Sequence, residues 1–235
     1  MSYNEEDLIF TPEEFTGQVR LFPLPNLVLF PHVIQPLRVF EPRYVDLLHD
    51  ALSSDRLIAM ALLQPGWEAG YEGNPPIAPV ACLGRVLTWQ SQANQQYNLL
   101  LVGLRRVRIV REVSVDHRFR VAEAELLEDA YPPHSAIARP ALHRQLAATF
   151  EEMLPGCDDA ADVSNQVAAK KISLGTLTDV ISYALDLDLP AKQALLAEPD
   201  VDRRAQQLLL HLQQPTCDIG EQRALADFPP AFSLN

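Results

Sequence analysis

Hydrophobic and polar positions change their rhythm along this chain. Up to about residue 128 the apolar residues come in short runs suited to strands, and beyond it they recur at helical spacing. Val19–Leu24 is a short apolar run closed by Pro23 and Pro25, Asn26–Phe30 continues extended, and Pro31 and Pro36 bracket a second extended piece. Prolines this dense suit edge strands and turns, because each removes a ladder donor. A helix is predicted from Pro42, whose missing N–H costs nothing at a first helical position. Tyr44, Val45, Leu48, Ala51 and Leu52 share one of its faces, and Ser53-Ser54-Asp55 ends it. Leu57–Leu63 is almost continuously apolar, the pattern of a strand covered on both sides. Four more strands are predicted at about 81–90, 96–103, 104–112 and 119–128. A polar connection, Gln90 to Gln95, joins the first two, and Gly103 marks a bend or bulge. The total is about six strands, enough for a small barrel-like sheet.

The helical half opens at Tyr131-Pro132-Pro133. Leu142, Leu146, Phe150 and Met153 form one stripe, stopped at Leu154-Pro155-Gly156. Leu174, Leu177, Val180, Ile181 and Leu185 form a second, with Ser173 as N-cap. A short helix follows Pro190 and carries Leu195 and Leu196. The last begins after Asp200 and shows Val201, Ala205, Leu208, Leu209 and Leu212. Such stripes need partners, so a small bundle is expected. Segregation of strands from helices makes the expected class α+β. The expected division is an N-terminal extension at 1–17, a barrel at 18–130, a bundle at 131–213 and an extended or disordered tail at 214–235.

Net charge is −12, from 31 acidic and 19 basic residues. It is spread evenly: residues 1–128 carry 11 Arg against 16 Asp+Glu (−5), and 129–235 carry 8 Lys+Arg against 15 (−7). A field of that sign disfavours phosphate backbones and anionic membranes. No apolar run approaches the roughly 18 residues that span a bilayer, and the start, Met1 to Asp7, is acidic where a signal peptide is basic. Cys82, Cys157 and Cys217 lie far apart and are odd in number, so a disulfide framework is not expected. The expected address is the cytoplasm.

Candidate chemistry is sparse. The six histidines are scattered, no Gly-x-Ser-x-Gly elbow occurs, and neither cysteine nor histidine spacing suggests a metal site. The acidic pairs Glu151-Glu152 and Asp158-Asp159 read as a helix surface and a turn. Catalysis, a metal and a cofactor are therefore not expected. The one basic cluster is Arg105, Arg106, Arg108 and Arg111, with Arg118 and Arg120 after the turn. It reads as edge protection or ion pairing, with RNA binding as the alternative; no aromatic residues interleave it for base stacking. Gln64–Pro79, with three Gly, four Pro, Trp67 and Tyr71, is the longest break, and loops of this length are often functional. Trp67 and Tyr71 either fold back onto the barrel or are displayed. Phe30, Phe40 and Tyr44 are the other large apolar candidates, with core packing the commoner role for Phe30 and Phe40, and Arg43 is placed to pair with Glu41 or another nearby acid.

Leu21-Phe22-Pro23-Leu24-Pro25-Asn26-Leu27-Val28-Leu29-Phe30-Pro31 resembles the opening of the Lon protease N-terminal domain, where an L-P-L strand precedes V-x-F-P. Pro36-Leu37 and a helix from Glu41 to Leu52 follow in that family's order, as does Leu57–Leu63. Cys82-Leu83-Gly84-Arg85-Val86 is similar to its G-x-x-A-R-I strand, and the segment from Leu101 to Ile109 to its V-x-G-x-x-R-x-x-I element. Asp179-Val180-Ile181, Leu189 to Leu196 and Val201 to Arg204 resemble its bundle. The likeness runs over about 18–213 and implies a PUA-like pseudo-barrel and a helical bundle that engage unfolded or extended polypeptide. Under it, Phe30, Phe40, Arg43, Tyr44, Trp67 and Tyr71 become candidates for peptide contact. Lon proteases continue into an ATPase and a serine–lysine peptidase, but no Gly-x-x-x-x-Gly-Lys-Ser/Thr occurs here, and the only lysines are Lys170, Lys171 and Lys192. The expectation is a stand-alone, non-catalytic recognition module, an adaptor or chaperone-like factor that works with a separate ATPase or protease.

Overall fold

The computed structural model describes residues 9–71, 73–153 and 172–213. They form two compact units, one up to Leu127 and one from Glu128 onward.

The first unit is a closed sheet. Its strands are β1 (Gln18–Leu24), β2 (Ile34–Val39), β3 (Leu57–Leu62), β4 (Val80–Ser91), β5 (Tyr97–Val113) and β6 (Arg120–Leu127), with α1 (Pro42–Leu52) between β2 and β3. The order is β2-β5-β4-β3-β1-β6, and a further β5–β6 pairing closes five strands into a barrel with β2 appended outside. β1 and β3 are parallel, the one pairing that needs a crossover, and α1 lies in it. β3 is buried along nearly its whole length, as its unbroken apolar run requires.

β5 is one strand of 17 residues where the apolar pattern predicted two, 96–103 and 104–112. The bend at Gly103 is real but does not break the ladder. Leu83 faces Arg105 while Gly84 faces Gly103, so Leu104 is an extra residue bulged on β5. Bending lets the first half of β5 pair with β2 and the second half with β6. Gly103 is obligatory here because a Cβ would stand 2.0 Å from the Phe30 carbonyl oxygen. The Gly103 N–H donates to Val33 O and its carbonyl accepts from His32 N, both at 2.8 Å.

The prolines sit where ladder donors are not needed. Pro36 is in β2, which pairs only with β5, and the Gln35 side chain donates to its carbonyl at 2.8 Å. Pro23 lies beyond Leu21, the last β1 residue paired with β6, and its carbonyl accepts from the Tyr44 hydroxyl at 3.0 Å. α1 starts at Pro42 and buries Tyr44, Val45, Leu47, Leu48 and Ala51. Each fully buried leucine there contributes about 1.5–3 kcal/mol.

The second unit contains α2 (Arg139–Met153), α3 (Leu174–Ala184), α4 (Leu189–Ala197) and α5 (Val201–Leu212). Ser173 Oγ accepts from Thr176 N at 3.0 Å, and Asp200 accepts from Asp202 N and Arg203 N at 3.0 and 3.1 Å, so both predicted N-caps form. Leu146, Leu177, Ile181, Val201, Ala205 and Leu208 are the buried stripes of three helices that pack on one another. Two arginines bind the bundle by charge. Arg204, fully buried, makes a two-pronged contact to Asp129 at 2.9 Å and donates to Glu198 O. Its Nε lies 3.4 Å from Asp179, an ion-pair distance without a hydrogen bond. Arg139 grips Asp202 at 2.7 and 2.8 Å. The predicted tail at 214–235, the stop at Leu154-Pro155-Gly156, Asp158-Asp159, Cys157 and Cys217 lie outside the described residues, as do the side chains of Glu151, Glu152 and Met153. Cys82 is buried in β4.

Candidate functional site

Four of the six aromatic and arginine candidates come together where α1 begins. Glu41 is the helix's N-cap residue and Arg43 the second helical residue. Arg43 donates to Glu41 from Nε at 2.9 Å and from its terminal nitrogen at 2.8 Å. It also reaches the loop after β3, donating to the Tyr71 carbonyl at 3.1 Å. The Tyr71 hydroxyl returns to Glu41 at 2.6 Å. One carboxylate and one guanidinium thus pin a Gly/Pro-rich loop to a helix end.

Aromatic rings continue the contact in both directions. The Arg43 guanidinium lies 4.7 Å from the Tyr44 ring and 4.6 Å from the Tyr71 ring. Tyr44 packs on Phe22 at 4.3 Å between centroids, and Trp67 meets Tyr71 edge-on at 5.3 Å. The result is a ladder, Phe22–Tyr44–Arg43–Tyr71–Trp67, buried at its first two rungs and half-exposed at its last two. Cation–π contacts of this kind strengthen as water is removed.

Burial pushes the Tyr44 phenol well above its usual range, against the pull of Arg43. Tyr71 is raised by burial first and by its bond to Glu41 second. Burial works against the charge on Arg43, but Tyr44 and Glu41 outweigh it and hold the group above the ordinary arginine value. The site therefore offers neutral phenols, a fixed cation and aromatic faces. Nothing in it is poised to transfer a proton near neutrality.

The remaining candidates lie apart from the ladder. Phe40, adjacent in sequence, is 38% exposed. Phe30 is fully buried with its carbonyl against Gly103, so its side chain has no surface to offer a partner. The arginine cluster is dispersed by strand geometry and in part paired with acids. Arg106 is buried, Arg105 lies 5.7 Å from the Phe10 ring, Arg108 faces Glu125 at 3.9 Å, Arg111 pairs with Glu123, and Arg120 Nε donates to Glu112 at 2.8 Å. Cross-strand charge pairing on β5 and β6 replaces the basic stripe that a nucleic acid would require.

A second concavity was not anticipated. A polar cleft of about 490 Å³ lies between α1 (Asp46, His49, Asp50, Ser53) and the β5–β6 turn (Asp116 to Phe119). The signal was present in the polar face of α1, where these four residues recur at three- and four-residue spacing. Its groups are engaged: Arg118 with Asp46 at 3.6 Å, Arg20 with Asp50, and His49 with the Tyr97 hydroxyl at 2.9 Å. Among the described residues no group of three His, Cys, Asp or Glu side chains could hold a metal ion. No helix among them is long and apolar enough to cross a membrane.

A PUA-like pseudo-barrel followed in sequence by a helical bundle is an α+β architecture that defines the class of the Lon N-terminal domains. The chain belongs to the family of the ATP-dependent protease La (LON) substrate-binding domain, whose sequence model matches residues 18–214. It is 29% identical over 195 residues to the Lon protease of Koribacter versatilis, covering 82% of this chain and 23% of that protein. It is 26% identical over 214 residues to Lon protease 1 of Bdellovibrio bacteriovorus, covering 90% and 26%. The chain thus spans about a quarter of the length of these relatives, within the substrate-binding domain. Among solved structures it is similar to a Lon N-terminal domain protein from Xanthomonas campestris, with TM-score 0.59, 25% identity, and coverage of 82% of this chain and 97% of that one. The fold is also that of the N-terminal domain of Mycobacterium avium complex Lon protease, with TM-score 0.67, 16% identity, and coverage of 84% and 99%.

Proposed function

We propose that this protein recognises unfolded or extended polypeptide without transforming it, acting in the cytoplasm as an adaptor or chaperone-like factor in protein quality control alongside a separate ATPase or protease. The observation that carries this reading is the match to the Lon substrate-binding domain across residues 18–214. The ladder at α1 supplies a surface for the contact. Tyr71 is held at partial exposure by Glu41 and Arg43 and Trp67 meets it edge-on, the kind of aromatic anchor that concentrates binding energy. Phe40, one residue before Glu41, is a separate exposed ring.

The sheet offers little open edge for strand addition. Barrel closure removes most edges, and on β2 Pro36 lacks a donor while its carbonyl is occupied by Gln35. Side-chain capture by aromatic rungs is therefore the mechanism the geometry favours.

The test is fluorescence anisotropy with a labelled, cysteine-alkylated polypeptide that cannot fold. Replacing both Trp67 and Tyr71 with Ala weakens binding at least tenfold, about 1.4 kcal/mol. Wild-type binding no stronger than that of an unrelated acidic protein of the same charge refutes the proposal.

A further inference from the structure

Residues 9–15 precede the family-matched segment, yet they are docked on the barrel. They belong to no strand. Their backbone hydrogen bonds are local, Glu14 N to Thr11 O at 3.0 Å and Phe15 N to Pro12 O at 3.1 Å. What holds this strap is side-chain chemistry. Phe10 is buried at 6% exposure and joins the barrel's apolar core, against which half-buried Phe15 also packs, whereas Ile9, Thr11, Pro12, Glu13 and Glu14 are exposed. Arg85 of β4, itself 8% exposed, donates to the Ile9 carbonyl at 2.8 Å and pairs with the Glu14 carboxylate. Arg105 of β5 lies 5.7 Å from the Phe10 ring. Gly17, with φ at +83°, joins the strap to β1.

This is how a barrel would hold a peptide ligand: one ring in an apolar socket, with a carbonyl and a carboxylate clamped by one rigid guanidinium. We propose that the barrel mouth between Arg85 and Arg105 is a binding site for an extended segment of another polypeptide bearing an aromatic residue and a carboxylate four positions later. The strap occupies that site in cis as a competing ligand. Tethered by one glycine joint, it acts at an effective concentration of about millimolar, so a partner in trans gains access only when the strap is weakened. The site is distinct from the Trp67–Tyr71 surface, and neither requires the other.

The probe is a labelled peptide copying residues 8–16, titrated into the full chain by anisotropy. Phe10→Ala binds it at least about tenfold more tightly than the wild type, because the cis competitor has lost its anchor. Thr11→Ala with Glu14→Gln, changes confined to exposed side chains, raises affinity in the same direction and decides the matter should Phe10→Ala fail to fold. Replacing the probe's phenylalanine equivalent to Phe10 with alanine abolishes binding. Equal affinity for wild type and the exposed double variant overturns the proposal, as does failure of that variant to bind the probe at all. A dimer formed by strap exchange, seen by light scattering, also overturns it in favour of a second copy as the occupant. Running the unfolded polypeptide in parallel separates the two ideas: its loss bears on the Trp67–Tyr71 surface, and loss of the strap peptide on the barrel mouth.

Discussion

Gly103 shows how a single residue's chemistry sets a strand's course. Its position inside an apolar run signals a bend, but the cause is tertiary, because the Phe30 backbone crosses where a Cβ would be. Gly103→Ala forces two backbones apart and is expected to cost about 3 kcal/mol or more, seen as a lower urea midpoint at unchanged slope. Glu14 carries a second expectation at this scale. Burial tends to raise its pKa, but hydrogen bonds from the Thr11 backbone and side chain together with Arg85 hold it below the ordinary glutamate value. A depressed carboxylate contributes stability above its unfolded pKa and loses it as pH falls through the folded one. The Glu14 contribution to strap docking is therefore present at neutral pH and is lost in acid. The Thr11 amide, which donates to Glu14 at 3.1 Å, should titrate by NMR with a midpoint below that of an unperturbed glutamate. A midpoint at or above it contradicts the assignment. Among the site candidates, Arg43 and Glu41 were readable as a pair from their spacing, and they do pair. That they also reach Tyr71, 28 and 30 residues on, was not readable, because a loop's return path is decided by packing.

Elements with one dominant period were the legible ones. α1, β3 and the helices with Ser173 and Asp200 caps follow from apolar spacing and capping residues. β5 was misread as two strands because a bulge shifts the inward-facing positions by one residue, which in sequence looks like an ending. Arg204 was legible in principle and overlooked. It stands three residues after Val201 and four before Leu208, on the apolar stripe of α5, and an arginine there must be buried with partners. Asp129 and Asp179 are those partners, from the segment before α2 and from α3. Arg204→Met removes the cation facing both carboxylates and is expected to cost about 3–5 kcal/mol by urea denaturation. Adding Asp129→Asn and Asp179→Leu should recover much of the loss, since the deficit is uncompensated charge and not volume.

At the scale of the whole molecule, a net charge of −12 sits beside arginines many of which, among the described residues, are engaged, several of them in cross-strand pairs. The basic cluster in the sequence is thus no basic surface in the fold, because alternation along a strand sends neighbours to opposite faces and adjacent strands supply acids. Composition and periodicity alone determined an α+β chain with strands first and helices second, and the resemblance of its short motifs to the Lon N-terminal domain ran in order across residues 18–213. Those features are local or sequential, and hydrophobic spacing encodes them directly. Only tertiary structure decided that five strands close on themselves, that Phe30 is core, that Tyr71 docks on Arg43, and that Phe10 joins the barrel core. Each of these depends on which distant surfaces meet, and that is settled by burying apolar area and pairing buried charge over the whole chain at once, so no window of sequence contains it.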